Sequence, residues 1–461
     1  MGLINNFGTT SHVYRRRDLC YDRRVNVTIE PGGLSGSVAI PGSKSHTIRA
    51  LIIAALASGE STITAALDSG DTAACIGILR GLGARIEAES RGDGLALRVT
   101  GRGGRFARPQ ETLDCANSGT TLYLALPLAA LQEFPVRFDG DAQLRRRSAG
   151  PLLKALETLG ARVDRENGEC VPFTITGPIS GGDVSIECPT SQYLSSLLIA
   201  APLCPDGMRI TVPLLNERPY VEMTLAWLSG QGTDVVRRGW EHFAIPGGRG
   251  YRAFARQVPA DFSSATFLLA AAAVTGSELT LEGLEMTDSQ GDREVVRVLE
   301  RLGCHVRINA RSVTIAGPSG PDAGLSGGEV DLNAMPDALP ALAVVGTRCR
   351  EPLRLVSVPQ AREKETDRIA VMAEAIARLG GRARELPDGL VIEPGRLAGG
   401  TADSAGDHRV AMALAVAGLC AAGPVTVTNA EVASITYPGF YDALAACGAA
   451  VASSGAGASE T

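Results

Sequence analysis

Aromatic residues are scarce in this 461-residue chain, at 4% with only two Trp, so its interior must be packed from small and aliphatic side chains. It has no surplus of positive charge. Forty-four Lys and Arg stand against 50 Asp and Glu, a net charge of -6, which leaves no global field to attract nucleic acid and makes any anion site a local one. The ten cysteines stand singly, from Cys20 to Cys447, with no C-x-x-C pair and no His at ligand spacing. A disulfide framework and a zinc site are both disfavoured by that pattern, and a reducing, cytoplasmic location is expected. The most apolar helical stretch, Phe267 to Val274, is too short to span a bilayer, so no membrane partner is expected. The first residues carry Arg15, Arg16, Arg17, Arg23 and Arg24 without the apolar core of a signal peptide. Residues 1–24 are therefore read as a mobile extension and the Ser/Gly/Ala-rich residues 453–461 as a flexible tail.

Glycine is abundant, at 54 residues, and six of them mark a repeat. Turns close to Leu-Gly-Ala recur at Gly83, Gly160, Gly232, Gly303, Gly380 and Gly448, spaced 68 to 77 residues apart. Each follows an amphipathic helix, as where Val295, Val296, Val298 and Leu299 alternate with Glu294, Arg297, Glu300 and Arg301. A glycine after such a helix supplies a left-handed C-cap, which a β-carbon would penalise. Alternating strands such as Leu279-Thr280-Leu281-Glu282 and Val425-Thr426-Val427-Thr428 complete each unit.

A second set of helices is apolar nearly all round and must be buried, as at Phe267–Ala273 and Val410–Ala421. They begin after polar loops at Ser45, Asn117-Ser118-Gly119, Thr190-Ser191, Asp261, Asp337 and Asp407-His408-Arg409. Three units per domain would turn six such helix starts toward one cleft. The length suits two domains. The first is expected over 43–257, and the second over 25–42 together with 258–452. Among the helix starts, Pro41-Gly42-Ser43-Lys44-Ser45 combines a turn, a lysine and hydroxyls ahead of a helix, where free N–H groups and the helix dipole favour an anion. Ser45 or Thr47 could equally cap an ordinary helix there.

With these motifs in place, the chain resembles the enolpyruvyl transferases over roughly Val25 to Val451, most closely the branch acting on shikimate 3-phosphate. The resemblance rests on Pro41-Gly42-Ser43-Lys44-Ser45, Asn117-Ser118-Gly119-Thr120, Ser191-Gln192-Tyr193-Leu194, Lys364-Glu365-Thr366-Asp367-Arg368 and Asp407-His408-Arg409, in that order. It implies an α/β fold of two domains, an inside-out α/β barrel of six βαβαββ-type units, three per domain, with buried helices surrounded by sheets. It also implies transfer of the carboxyvinyl group of phosphoenolpyruvate to a ring hydroxyl with release of phosphate, by addition and elimination. No metal or other cofactor takes part in such a reaction, and a monomer is expected.

The same resemblance assigns roles. Lys44, Asn117, Gly119, Arg147, Gln192, Arg368 and Arg409 would bind phosphoenolpyruvate, the arginines through their planar forks. Asp337 would accept the hydroxyl proton and Glu365 would donate one to the methylene carbon, with Lys44 as the third catalytic group. Ser45, Arg49, Thr190, Ser191, Gln192, Glu217, Tyr220, Asp337, Gln360 and Lys364 would hold the acceptor. Three positions depart from the family pattern. Tyr123 replaces an Arg, Ile435 replaces a Lys found in some members, and Glu217 stands where a Ser usually meets the acceptor's phosphate. Arg145 and Arg146 either restore some of the lost charge or form a solvated loop.

Glu217 opens an alternative, a relative that acts on an unphosphorylated or modified shikimate-like ring in a specialised pathway. A UDP-N-acetylglucosamine enolpyruvyl transferase fits less well, because the loop Leu144-Arg145-Arg146-Arg147-Ser148 lacks that branch's cysteine. A non-catalytic binding relative would not require Asp337 and Glu365 together.

Overall fold

The computed structural model describes residues 25–319 and 324–455; the extension over 1–24 and the tail beyond 455 lie outside the described residues. The described residues form six four-stranded sheets and a two-stranded ribbon around six buried helices. In each large sheet an outer strand runs parallel to its neighbour, and the remaining strands pair antiparallel. The sheet formed by Leu113–Asp114, Val136–Asp139, Cys170–Thr176 and Arg162–Asn167 shows the pattern. All six repeat glycines take positive φ, from 76° at Gly232 to 109° at Gly303, as left-handed C-caps require.

Two separate apolar cores result, one built from residues between Ile48 and Val258, the other from Val27–Ile40 and Ala260–Ala449. In the first, the Gly119–Ala130 helix packs against both Lys44–Leu56 and Ser191–Ala200. In the second, Phe262–Thr275, Leu339–Gly346 and His408–Cys420 pack against one another. These helices have no polar face: every residue from Phe262 to Val274 is buried. That explains their all-round hydrophobicity, since sheets or helices cover each side.

The cores are joined by an exchange of strands. Ser35–Ala39 precedes the first buried helix but pairs parallel with Glu278–Glu282 of the second core. Reciprocally, Ala255–Gln257 precedes the Phe262–Thr275 helix but pairs with Glu60–Ala66 of the first. Both connections then cross side by side. Ser43 N donates to Pro259 O at 2.8 Å and Asp261 N to Pro41 O at 2.9 Å. Gly42 is required there, because a Cβ would fall 2.0 Å from Ala65 O.

The chain start closes the sixth sheet. Val25–Ile29 pairs antiparallel with Val425–Thr428 on one side and Val451–Gly455 on the other. This corrects the expected tail at its near end. Ser453, Ser454 and Gly455 are small residues, but they pair in register with Val27, Asn26 and Val25, and pairing rather than composition decides their conformation. No helix of the described residues is long and apolar enough to cross a membrane.

Candidate active site

Five of the six buried helices turn their starts toward a cleft between the two cores; the expected sixth, at Asp261, is buried behind it and does not line it. At the first, Ser43 supplies the N-cap, its hydroxyl accepting from His46 N at 3.5 Å, which corrects the assignment of the cap to Ser45 or Thr47. Ser45 is thereby left free to line the cleft beside Lys44. Lys44 Nζ lies 3.2 Å from Asp71, at the first turn of the Gly70–Gly81 helix. Arg49, one turn further on, is buried and spends its hydrogens on Thr224, Ser195 and the carbonyls of Ser45 and Tyr220. It contributes charge more than free donors.

Opposite stands Arg368, 1% exposed at the start of the Arg368–Arg378 helix. Its guanidinium donates to Asp407 through Nε at 2.8 Å, to Asp337 through Nη1 at 2.7 Å and to Glu365 through Nη2 at 2.6 Å. Arg409 Nη2 reaches the other oxygen of Asp337 at 2.9 Å. Arg147, from the first core, places Nη2 3.1 Å from Glu365 Oε1, yet its Nε and Nη2 have no aligned acceptor. Buried guanidinium hydrogens without acceptors are costly, so they point to a ligand's oxyanion as the missing partner. Gly119 lines this corner because a Cβ would lie 2.8 Å from Arg147 Nη1.

Burial alone would raise the carboxyl groups of Glu365 and Asp337. For Glu365, Arg147 and Arg368 outweigh burial and hold it well below the carboxylate range. For Asp337, Arg409, Lys364 and Arg368 do the same. The two carboxylates are thus held ionised by the same cations that an oxyanion would use. Asp292, which accepts from Tyr220 Oη at 2.6 Å, goes the other way: burial and the nearby Asp337 raise it to about 6. His408, buried beside Arg409, is driven down to about 3 by burial, and neither ring nitrogen has a hydrogen-bond partner among the described residues.

The acceptor-side residues gather around Glu217, which is 2% exposed. Its Oε2 accepts from Thr190 Oγ1 at 3.2 Å and from Ser191 Oγ at 2.9 Å, while Lys364 of the second core pairs with Oε1. Ser191, Gln192 and Tyr220 line the same cleft; Thr190 and Gln360 line an adjoining cavity with Gln192 and Lys364. The Oε1 atoms of Gln192 and Gln360 are buried without a partner.

Asn117 is the exception among the expected residues. Its amide donates to Asp141 and Gln143 at 2.7 and 2.6 Å, and it lines neither cavity; the loop's own acceptors have claimed it. Tyr123 is buried under Arg147, its hydroxyl donating to Ser148 O at 3.1 Å and its ring edge-on to Tyr193. Arg145 pairs with Asp139 at 2.6 Å on the surface. Sequence reasoning missed Asp71 and Asp292 altogether and took Asp407 only as part of a motif. Each carboxylate at a helix start looks like a cap in sequence, and only its distance from a cation reveals more.

A two-domain α/β fold of six units with a cation-lined cleft is that of the enolpyruvyl transferases. It is shared with EPSP synthase of Acinetobacter baumannii, at TM-score 0.76 and 27% identity over 93% of this chain and all of that one. The fold extends to the enolpyruvyl transferase NikO of Streptomyces tendae, at TM-score 0.73 and 19% identity over 94% of this chain. Within that class the chain belongs to the EPSP synthase (3-phosphoshikimate 1-carboxyvinyltransferase) family, whose model matches residues 29–444. The 3-phosphoshikimate 1-carboxyvinyltransferase of Acetivibrio thermocellus is 46% identical over 90% of this chain and 96% of its own length. That of Halobacterium salinarum is 39% identical over 92% and 99%.

Proposed function

We propose that the chain transfers the carboxyvinyl group of phosphoenolpyruvate to the 5-hydroxyl of shikimate 3-phosphate, giving 5-enolpyruvylshikimate 3-phosphate and phosphate. The observation that carries this is the convergence of Arg147, Arg368 and Arg409 on Glu365 and Asp337, with Lys44 across the cleft. Phosphoenolpyruvate brings a carboxylate and a phosphate to those arginines. As they turn to the substrate, Glu365 loses the cations that keep it ionised, and burial raises its pKa toward that of a proton donor.

Addition then forms the bond from the acceptor oxygen to C2 while Glu365 protonates the methylene C3, and Asp337 takes the hydroxyl proton. Elimination breaks the bond from C2 to the phosphate oxygen and returns a methyl proton to Glu365. Phosphate leaves with the proton that Asp337 held. Lys44 and the arginines stabilise the charge on the departing phosphate. The two cores act as domains, 43–257 and 25–42 with 258–452 extended to Gly455, and their adjacent crossings serve as the hinge. Every group invoked comes from one chain, which supports a working monomer, and the free thiols among the described residues, all but Cys170 buried, support a cytoplasmic setting.

Incubation of purified protein with both substrates should release one phosphate per product. Folded protein that releases none would refute the assignment. The Glu217–Lys364 pair favours a second reading, in which the acceptor is an unphosphorylated ring of the same shape.

A further inference from the structure

Glu217 is an anion installed among donors suited to a substrate's anion. Two hydroxyls, from Thr190 and Ser191, and the backbone N–H of Ser191 at the start of the Ser191–Ala200 helix all point at Oε2, at 2.9 to 3.2 Å. Lys364 closes the set from the other side of the cleft. Hydroxyls, a helix-start amide and a lysine together make a phosphate-like subsite, and here the protein's own carboxylate fills it.

The backbone that carries the carboxylate is also held in place. Glu217 has left-handed backbone, φ 57° and ψ 42°, unusual for a side chain with a Cβ. Its N–H donates to Asn333 Oδ1 at 3.3 Å, and Asn333 Nδ2 donates to Asn216 Oδ1 at 2.9 Å, so the loop is tied to the second core. Swinging the carboxylate away would strand Lys364 and both hydroxyls unless a ligand's anion took them up at once. Leaving it in place would set two anions side by side in a buried site. A neutral hydroxyl or an ammonium, by contrast, can donate to it directly.

We infer that Glu217 is an intramolecular substitute for an anionic substituent of the acceptor, and that it sets acceptor selectivity by cancelling the advantage of a phosphorylated ring over one with a free hydroxyl at that position. This rests on the reading that the cleft binds a shikimate-type acceptor. Its consequence is breadth: the same site takes shikimate as well as its 3-phosphate.

Calorimetric titration of shikimate and of shikimate 3-phosphate into the wild-type chain, Glu217→Ser and Glu217→Gln tests it. In the wild type the phosphorylated ring should bind no more than about tenfold tighter, and in Glu217→Ser that ratio should rise by about 100-fold as Lys364 and the hydroxyls are freed. Glu217→Gln, which keeps the shape and removes the charge, should move the same way and covers the case in which the serine variant fails to fold. A ratio in the variants within about threefold of the wild type overturns the inference. Phosphate release from phosphoenolpyruvate with either acceptor is followed in parallel. If no variant turns over but the binding ratio shifts, the proposed reaction falls and the role of Glu217 stands.

Discussion

Replacing Asp407 by Asn tests the ionic support of the cleft. Asp407 is fully buried; it accepts from Arg368 Nε at 2.8 Å and Nη2 at 3.3 Å, and it caps the His408–Cys420 helix through Arg409 N at 2.8 Å. Asn keeps an oxygen for the Arg409 N–H, so the helix start is preserved, but its amide nitrogen then faces Arg368 Nε and Thr366 Oγ1, so charge and acceptor are lost together. Removing one partner of a buried pair leaves an uncompensated cation, a loss of about 3–5 kcal/mol. Arg368 still faces Glu365 and Asp337, so the lower end, about 3 kcal/mol, is expected. With about 2–4 °C per kcal/mol for cores of this size, Tm should fall by roughly 6–12 °C at pH 7.

The pH dependence fixes the cause. Burial would raise the Asp407 carboxyl, but Arg368 outweighs it and depresses the folded-state pKa. The stabilisation is therefore complete above the unfolded value near 3.9 and is lost as pH falls through the depressed one. Urea denaturation of both proteins between pH 8 and pH 3.5 should show a constant gap down to about pH 4 that narrows below it. A gap under about 1 kcal/mol at pH 7, or one that already closes between pH 8 and pH 5, would refute the argument.

The other predictions concern chemistry and the crossing. Glu365→Gln should lower kcat by about 10²–10⁴ while changing the KM for phosphoenolpyruvate much less, measured by phosphate release at saturating acceptor. An equal loss in kcat and rise in KM would make Glu365 a binding group instead. Gly42→Ala places a methyl against Ala65 O and should cost about 1–3 kcal/mol by overpacking, seen as a lower urea midpoint with an unchanged far-ultraviolet spectrum. Unaltered stability would show that the crossing is loose.

Periodicity made the six units legible, because a left-handed glycine after each amphipathic helix is a local requirement that leaves a local mark. Buried helices were equally visible, since no solvated helix tolerates the stretch from Phe267 to Val274. The strand exchange was not. Ser35–Ala39 and Glu278–Glu282 look like ordinary strands, and nothing in either states that its neighbour lies some 240 residues away. At the site, cationic residues stood out as motif members, whereas the carboxylates Asp71 and Asp292 resembled helix caps or surface charges. The contacts of Asn117 were hidden for the converse reason, because an amide in a motif says nothing about which nearby acceptor it will choose. Glu217 was noticed as an oddity, but its satisfaction by Thr190, Ser191 and Lys364 is a property of three separate segments.

The pairing of Val25–Ile29 with Val451–Gly455 also has a meaning in time. On a ribosome adding about 5–20 residues per second, the opening strand emerges roughly 20–90 seconds before the strand that completes its sheet. The first core, contained between Ile48 and Val258, can be assembled during that interval, while the opening strand remains an unpaired edge. An edge of that kind recruits other chains. The yield of folded protein should therefore depend on what shelters Val25–Ile29 during synthesis, a vulnerability that the finished molecule no longer displays.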